Sequence, residues 1–264
     1  MKKLGILGLG HMGMAIAKGA LRTMDPSEIM VADHNQGKLE EAASCGITIA
    51  ADTAELCQSA HMVVVAVRPQ NLSDTLEELK AHVPECLLSV VAGAPIRRFT
   101  DALGNIPVIR TMPNTPLQLF EGATALCHND ICPQEDFAWA MNLFQTMGEA
   151  AEISEDHMCD VIAVNGSTPA YFYYLVECLL NDAVERGMSE TDARRLLVQT
   201  MIGSGCLLRQ NPDKPVSTFV DEVCSKGGTT IEAITHLKEN GFETLIKEAD
   251  AACIKRAEEL GKQY

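Results

Sequence analysis

The chain has 264 residues, 47% apolar and 22% charged, the balance of a protein that folds around a core and not of a disordered one. Its length suggests two ordinary domains. A formal charge of −15 repels phosphate backbones and anionic lipid, which excludes nucleic acid and membrane surfaces as expected partners, whereas local backbone amides can still hold a small anion.

At the N-terminus two lysines precede apolar residues, but glycines, His11, Lys18 and Arg22 interrupt any signal-like stretch, and no apolar run of about 18 residues occurs, so a cytoplasmic protein is expected. Residues 3–8, 28–33, 62–67, 86–91 and 106–110 read as strands. Between them, patterns such as Met14, Ile16, Ala17, Ala20, Leu21 and Leu72, Leu76, Leu79 read as helices. The series is βαβ, and the expected fold is an α/β Rossmann doubly wound parallel sheet.

A further strand is expected over 122–127, after which the character changes. From about residue 154 the chain reads as helices over 168–187, 189–209, 229–239 and 242–262, an all-α C-terminal domain. The domains are expected at 1–153 and 154–264. In the helix over 168–187, apolar residues such as Phe172, Leu175, Val176, Leu179 and Ala183 surround much of the circumference, so this half is expected to form a homodimer through residues 165–263.

Ten cysteines are scattered without a C-x-x-C pair and are expected to be reduced, mostly buried thiols. Seven histidines show no metal-ligand spacing, and no metal is expected.

Gly8-Leu9-Gly10-His11-Met12-Gly13 fits G-x-G-x-x-G directly after a strand and at a helix start. The first glycine permits the tight turn, the second lets a pyrophosphate approach the backbone, and the third lets helix and strand pack closely. Asp33 follows Gly13 by 20 residues at the end of the second strand, where a carboxylate bonds ribose hydroxyls. Gly8, Gly10, His11, Met12, Gly13, Asp33 and His34 are therefore candidate dinucleotide contacts. Asp33 favours NADH, while His34, Asn35 and Lys38 offer a place for the 2′-phosphate of NADPH; both cofactors stay open.

Three further segments follow strand or helix ends: Ala66-Val67-Arg68-Pro69, Met112-Pro113-Asn114-Thr115-Pro116, and Asp221 through Ser225-Lys226-Gly227-Gly228-Thr229-Thr230. With Asn165-Gly166-Ser167-Thr168-Pro169-Ala170-Tyr171, this order resembles pyrroline-5-carboxylate reductase. The resemblance implies a Rossmann domain followed by a helical dimerisation domain, larger rings such as decamers, and NAD(P)H-dependent reduction of 1-pyrroline-5-carboxylate to L-proline. Asn165 stands where the family usually has Ser, Lys226 and Glu222 where Pro and Asn occur in some members, and Arg68 where Lys is common.

For that substrate, Ser225, Gly227, Gly228, Thr229 and Thr230 offer backbone N–H groups in a Gly-rich turn opening a helix, an anchor for the carboxylate. Thr229 also fits the N-cap of a capping box with Glu232, leaving Thr230 to point its hydroxyl at the imine nitrogen, the role of the family's threonine. Ser167-Thr168-Pro169 reads as a capped helix start, and Tyr171 as packing. Ala66, Val67, Arg68, Pro69, Ala92, Gly93 and Asn114 stand at strand C-terminal ends, where open α/β sheets line their ligand crevice.

Rival readings are a related imine reductase, a β-hydroxyacid-type dehydrogenase, or a catalytically silent dinucleotide-binding regulator. The second needs a lysine in the inter-domain helix, and none occurs between Lys80 and Lys214. The third has no use for the complete Gly227-Gly228-Thr229-Thr230 loop.

Overall fold

Short β-branched and aliphatic runs build one eight-stranded sheet in the computed structural model, which describes residues 3–261. The strands are β1 (Leu4–Leu7), β2 (Ile29–Ala32), β3 (Thr48–Ile49), β4 (Met62–Val65), β5 (Cys86–Ser89), β6 (Val108–Pro113), β7 (Gly122–His128) and β8 (Gly148–Glu152). Their order is β3-β2-β1-β4-β5-β6-β7-β8, parallel throughout except at β6–β7. The short link between β6 and β7 has no room for a crossover helix, so that pair turns back on itself.

Residues of one strand alternate between two cores. Leu4 and Ile6 of β1, Met62 and Val64 of β4, and Cys86 and Leu88 of β5 pack with α1 (His11–Ala20) and with α6 (Gln134–Gln145). Ala42 of α2 (Gln36–Ser44) joins the same core. Leu7, Val63, Val65 and Leu87 pack on the other face with α3 (Thr53–Ser59), α4 (Leu72–Lys80) and α5 (Ile96–Leu103). A parallel sheet covered on both faces needs apolar residues at consecutive positions, which is why these strands read as unbroken hydrophobic runs.

Two strands were not marked by the sequence. β3 has only two residues, and β8 (GEAAE) carries two glutamates on the sheet edge, where one side remains in solvent. The thiols also differ from expectation: all ten are free, but only Cys57, Cys86, Cys127 and Cys132 are buried. Of the other six, Cys178 is exposed and the rest are half-buried.

The contacts divide the chain into two units, one reaching to Ser167 and resuming at Cys253, the other Thr168–Ala252. The second contains α7 (Thr168–Glu185), α8 (Glu190–Gln210), α9 (Val216–Val223) and α10 (Thr229–Glu239), together with the start of α11 (Phe242–Gly261). The short α9 was not marked beforehand. No residue of α7 is buried in the single chain, and Phe172, Tyr173, Tyr174, Leu175 and Leu179 are all exposed. No described helix is long and apolar enough to cross a membrane.

Candidate active site

The reversal of strand order falls between β1 and β4, and there the sheet opens a cavity of about 970 Å³, of a size suited to a small ligand or cofactor. The glycine turn forms its floor. Gly8 takes φ +98°, and a side chain there would meet the Ala66 carbonyl oxygen at 2.8 Å. A Cβ on Gly13 would collide with the Gly8 carbonyl oxygen, so this glycine lets α1 start tight against β1. A Cβ on Gly10 would meet nothing within 4 Å. Nothing in the protein demands that glycine; it keeps the backbone bare toward the cavity, which fits close approach by a pyrophosphate. Gly10 is also the N-cap of α1 and supplies no side chain to cap it, and the first turn contains no acidic residue. Its leading amides have no carbonyl one turn back, and together with the helix dipole they favour an anion.

Asp33 closes the turn from the side. Its Oδ2 accepts the Leu9 amide at 2.5 Å and its Oδ1 the Asn35 amide at 2.7 Å. The carboxylate is thereby fixed at the end of β2. Of the residues proposed from sequence to touch a dinucleotide, the cavity is lined by Gly8, Gly10, His11, Met12, Asp33 and His34, and from the β4 end by Ala66, Val67 and Arg68. Gly13 lies beneath the turn, and Pro69 opens a short 3-10 turn behind Arg68.

Ala92, Gly93 and Asn114 are not among the lining residues. Gly93, at φ +77°, faces the end of α11, with the Ala257 carbonyl oxygen and Leu260 Cβ each 3.5 Å from where its Cβ would be. Asn114 accepts the Ala123 amide at 2.9 Å and donates to the Asn165 carbonyl at 3.3 Å. Asn165 lies in a π-helical turn, Ile162–Gly166, and its Nδ2 donates to the carbonyls of Met112 and Ala123, both at 2.9 Å. Its Oδ1 is buried without a partner among the described residues.

Sequence reasoning missed Asp52, Thr53 and Glu78, which also line the cavity. Asp52 caps α3 through the Glu55 amide at 2.8 Å, and it follows the two-residue β3, whose brevity hid that this position lies at a strand's C-terminal end.

The second unit holds the other candidate cluster. Gly227 at φ +73° turns the chain, the Gly228 amide donates to the Ser225 carbonyl at 2.9 Å, and α10 begins at Thr229. A Cβ on Gly228 would strike the Ser225 hydroxyl, so the turn is closed as tightly as the backbone allows. The N-cap is Gly228, with no side-chain cap, not Thr229 as the capping-box pattern suggested. The glycine turn places residue 228 in the extended cap conformation and Thr229 already inside the helix. Ser225, Thr229 and Thr230 thus surround uncapped leading amides of an eleven-residue helix. Glu222 is held by Lys214 at 2.5 Å. Among the described residues no group of three or more His, Cys, Asp or Glu side chains could hold a metal ion.

Residues 155–260 match the family model for pyrroline-5-carboxylate reductase dimerisation, and residues 3–93 match that for NADP oxidoreductase, coenzyme F420-dependent. The Coxiella burnetii pyrroline-5-carboxylate reductase structure superposes with a TM-score of 0.92 at 29% identity, over 98% of each chain. The Plasmodium falciparum pyrroline carboxylate reductase, solved with NADP bound, gives 0.87 at 26% identity, again over 98% of each. Pyrroline-5-carboxylate reductase of Glycine max is 31% identical over 97% of this chain and 95% of its own. That of Escherichia coli (strain K12) is 33% identical over 99% of both. With relatives matching from end to end at this level, the chain belongs to the pyrroline-5-carboxylate reductase family.

Proposed function

We infer that this chain reduces 1-pyrroline-5-carboxylate to L-proline with a reduced nicotinamide dinucleotide, NADPH or NADH. The observation that carries this is the end-to-end match to reductases of that name, on a fold whose switch-point cavity has a bare glycine turn for the cofactor. The bound dinucleotide supplies the hydride.

The chain's own groups bind and orient. The amides opening α1 hold the pyrophosphate, Asp33 receives ribose hydroxyls, and Ala66, Val67, Arg68 and Pro69 flank the cofactor from β4. Ala92, Gly93 and Asn114 act at one remove, by shaping the ends of β5 and β6. In the second unit, Ser225, Gly227, Gly228 and Thr229 present amides to the substrate carboxylate, and the Thr230 hydroxyl donates to the imine nitrogen. A protonated imine carbon is already electrophilic, so the protein's main contribution is alignment, worth about 7–11 kcal/mol in favourable cases.

Residues 1–153 carry the cofactor and 154–264 the substrate and subunit contacts; the separate family matches to 3–93 and 155–260 support that division. The exposed aromatic and aliphatic side chains of α7 support an obligate homodimer, the unit from which a decamer is built, working in the cytoplasm. Sedimentation showing a stable monomer at micromolar protein would sink the dimer.

Oxidation of NADH and NADPH followed at 340 nm with DL-1-pyrroline-5-carboxylate, beside 1-piperideine-carboxylates and a panel of 2-keto and 3-hydroxy acids, tests the reaction. Rapid turnover of the five-membered imine is expected; turnover confined to another substrate would reject it.

A further inference from the structure

We propose that the cavity selects NADH over NADPH, with Asp33 as the discriminating residue and Glu41 as the residue that withholds the cation a 2′-phosphate would need. The proposal rests on the reading of the cavity as a dinucleotide site.

Asp33 cannot turn aside to admit a second anion. Both of its oxygens are occupied by backbone amides, Leu9 on one and Asn35 on the other, so rotating the carboxylate away would break two bonds of the cofactor turn itself. A ribose 2′-hydroxyl can still donate to it, since a carboxylate oxygen accepts more than one hydrogen bond. A 2′-phosphate in the same place brings negative charge against negative charge with no donor to offer.

Sites that accept such a phosphate supply a cation beside it, and the one lysine lining this cavity is already taken. Lys38 lines the cavity, but its ammonium lies 3.3 Å from Glu41 Oε2. The other oxygen of Glu41 receives Lys18 at 2.8 Å, and these two lysines hold the Glu41 carboxyl below the usual range, so it stays ionised. Arg68 starts from further away: it follows β4 and Asp33 follows β2, with β1 between them, so two strand spacings, about 10 Å, separate their backbones. Asp52 adds a further carboxylate to the lining. The acidic residue at the end of β2 is thus backed by a second device, a surface glutamate that neutralises the compensating lysine.

Titrating the full-length protein with NADH and with NADPH, read by nicotinamide fluorescence without substrate, is the test. NADH is expected to bind at least about tenfold tighter, a difference of about 1.4 kcal/mol. Asp33→Asn, which keeps an oxygen for the Leu9 amide, should bring the two dissociation constants within about threefold. Glu41→Gln, at the surface and outside the turn, should tighten NADPH several-fold and leave NADH unchanged, and it keeps the test decisive if Asp33→Asn folds poorly. Equal or tighter binding of NADPH by the parent protein, or a ratio unmoved in both variants, would overturn the proposal. Binding of neither dinucleotide would overturn the cavity reading with it, whereas tight NADH binding without pyrroline-5-carboxylate turnover would reject the reductase reading and leave this one standing.

Discussion

Replacing Asn165 by Ala should destabilise the protein by about 2–3 kcal/mol, because this side chain ties a π-helical turn to two strands of the sheet. Its Nδ2 donates to the carbonyl of Met112 on β6 and to that of Ala123 on β7. The two lost hydrogen bonds cost about 1 kcal/mol each net, and leaving the carbonyls of two half-buried residues short of a donor adds about 1–2 kcal/mol. Removing the partnerless Oδ1 returns about 1 kcal/mol, which brings the sum to about 2–3 kcal/mol. Asn165→Asp should be worse, since a carboxylate would face two carbonyl oxygens. Urea unfolding followed by circular dichroism, at one fixed protein concentration so that subunit association does not confound the comparison, is the assay. With a slope of about 3 kcal/mol per M, the midpoint should fall by roughly 0.7–1 M. A stability for Asn165→Ala within about 0.5 kcal/mol of the parent would refute the clip.

The second and third glycines of the turn should separate stability from binding. Gly10→Ala, with open space at its Cβ, should leave the melting temperature unchanged while weakening dinucleotide binding by roughly tenfold or more, whereas Gly13→Ala should lower both because its Cβ strikes the Gly8 carbonyl; calorimetry and cofactor titration read the pair. Thr230→Val should spare cofactor binding and reduce kcat/KM with pyrroline-5-carboxylate by roughly tenfold or more, and unchanged kinetics would leave Thr230 an ordinary first-turn residue. Burial pushes the Cys57 thiol up to about 11 and that of Cys127 up to about 12, from an ordinary 9.0. A raised thiol pKa favours the protonated native form, so this contribution is whole below pH 9 and is lost as pH rises through the folded values. Stability should therefore decline above pH 9, less so in Cys127→Ala, and at pH 8 a disulfide reagent should reach these two thiols only after denaturant is added.

What could be read from residues alone followed the range of the interactions. Met62–Val65 and Cys86–Ser89 announce themselves because a strand covered on both faces is apolar at each step, and Asp33 was located by a spacing that the βαβ unit imposes. The edge strand Gly148–Glu152 and the pair Thr48–Ile49 carry too few buried side chains to leave a pattern. At Thr229 two local rules competed: the capping-box spacing pointed one way, and the glycine turn moved the helix start one residue past it. Asn114 and Asn165 illustrate the limit most clearly. Each reads as a polar residue in a loop, and their partnership spans 51 positions, a distance over which spacing carries no information. Asp33 was found, but its bond to the Leu9 amide was not, for the same reason.

The unit that contains the sheet is interrupted in sequence: it stops at Ser167 and resumes at Cys253. During synthesis, therefore, the ribosome releases all eight strands of the sheet long before the returning end of α11 exists. The bend at Gly93 waits for Ala257 and Leu260, on the far side of the helical unit in sequence, and Ser167 waits for the Cys253 thiol 3.0 Å from its hydroxyl. A chain stalled or clipped in the helical half would keep the glycine turn and lose the cover over the β5 end.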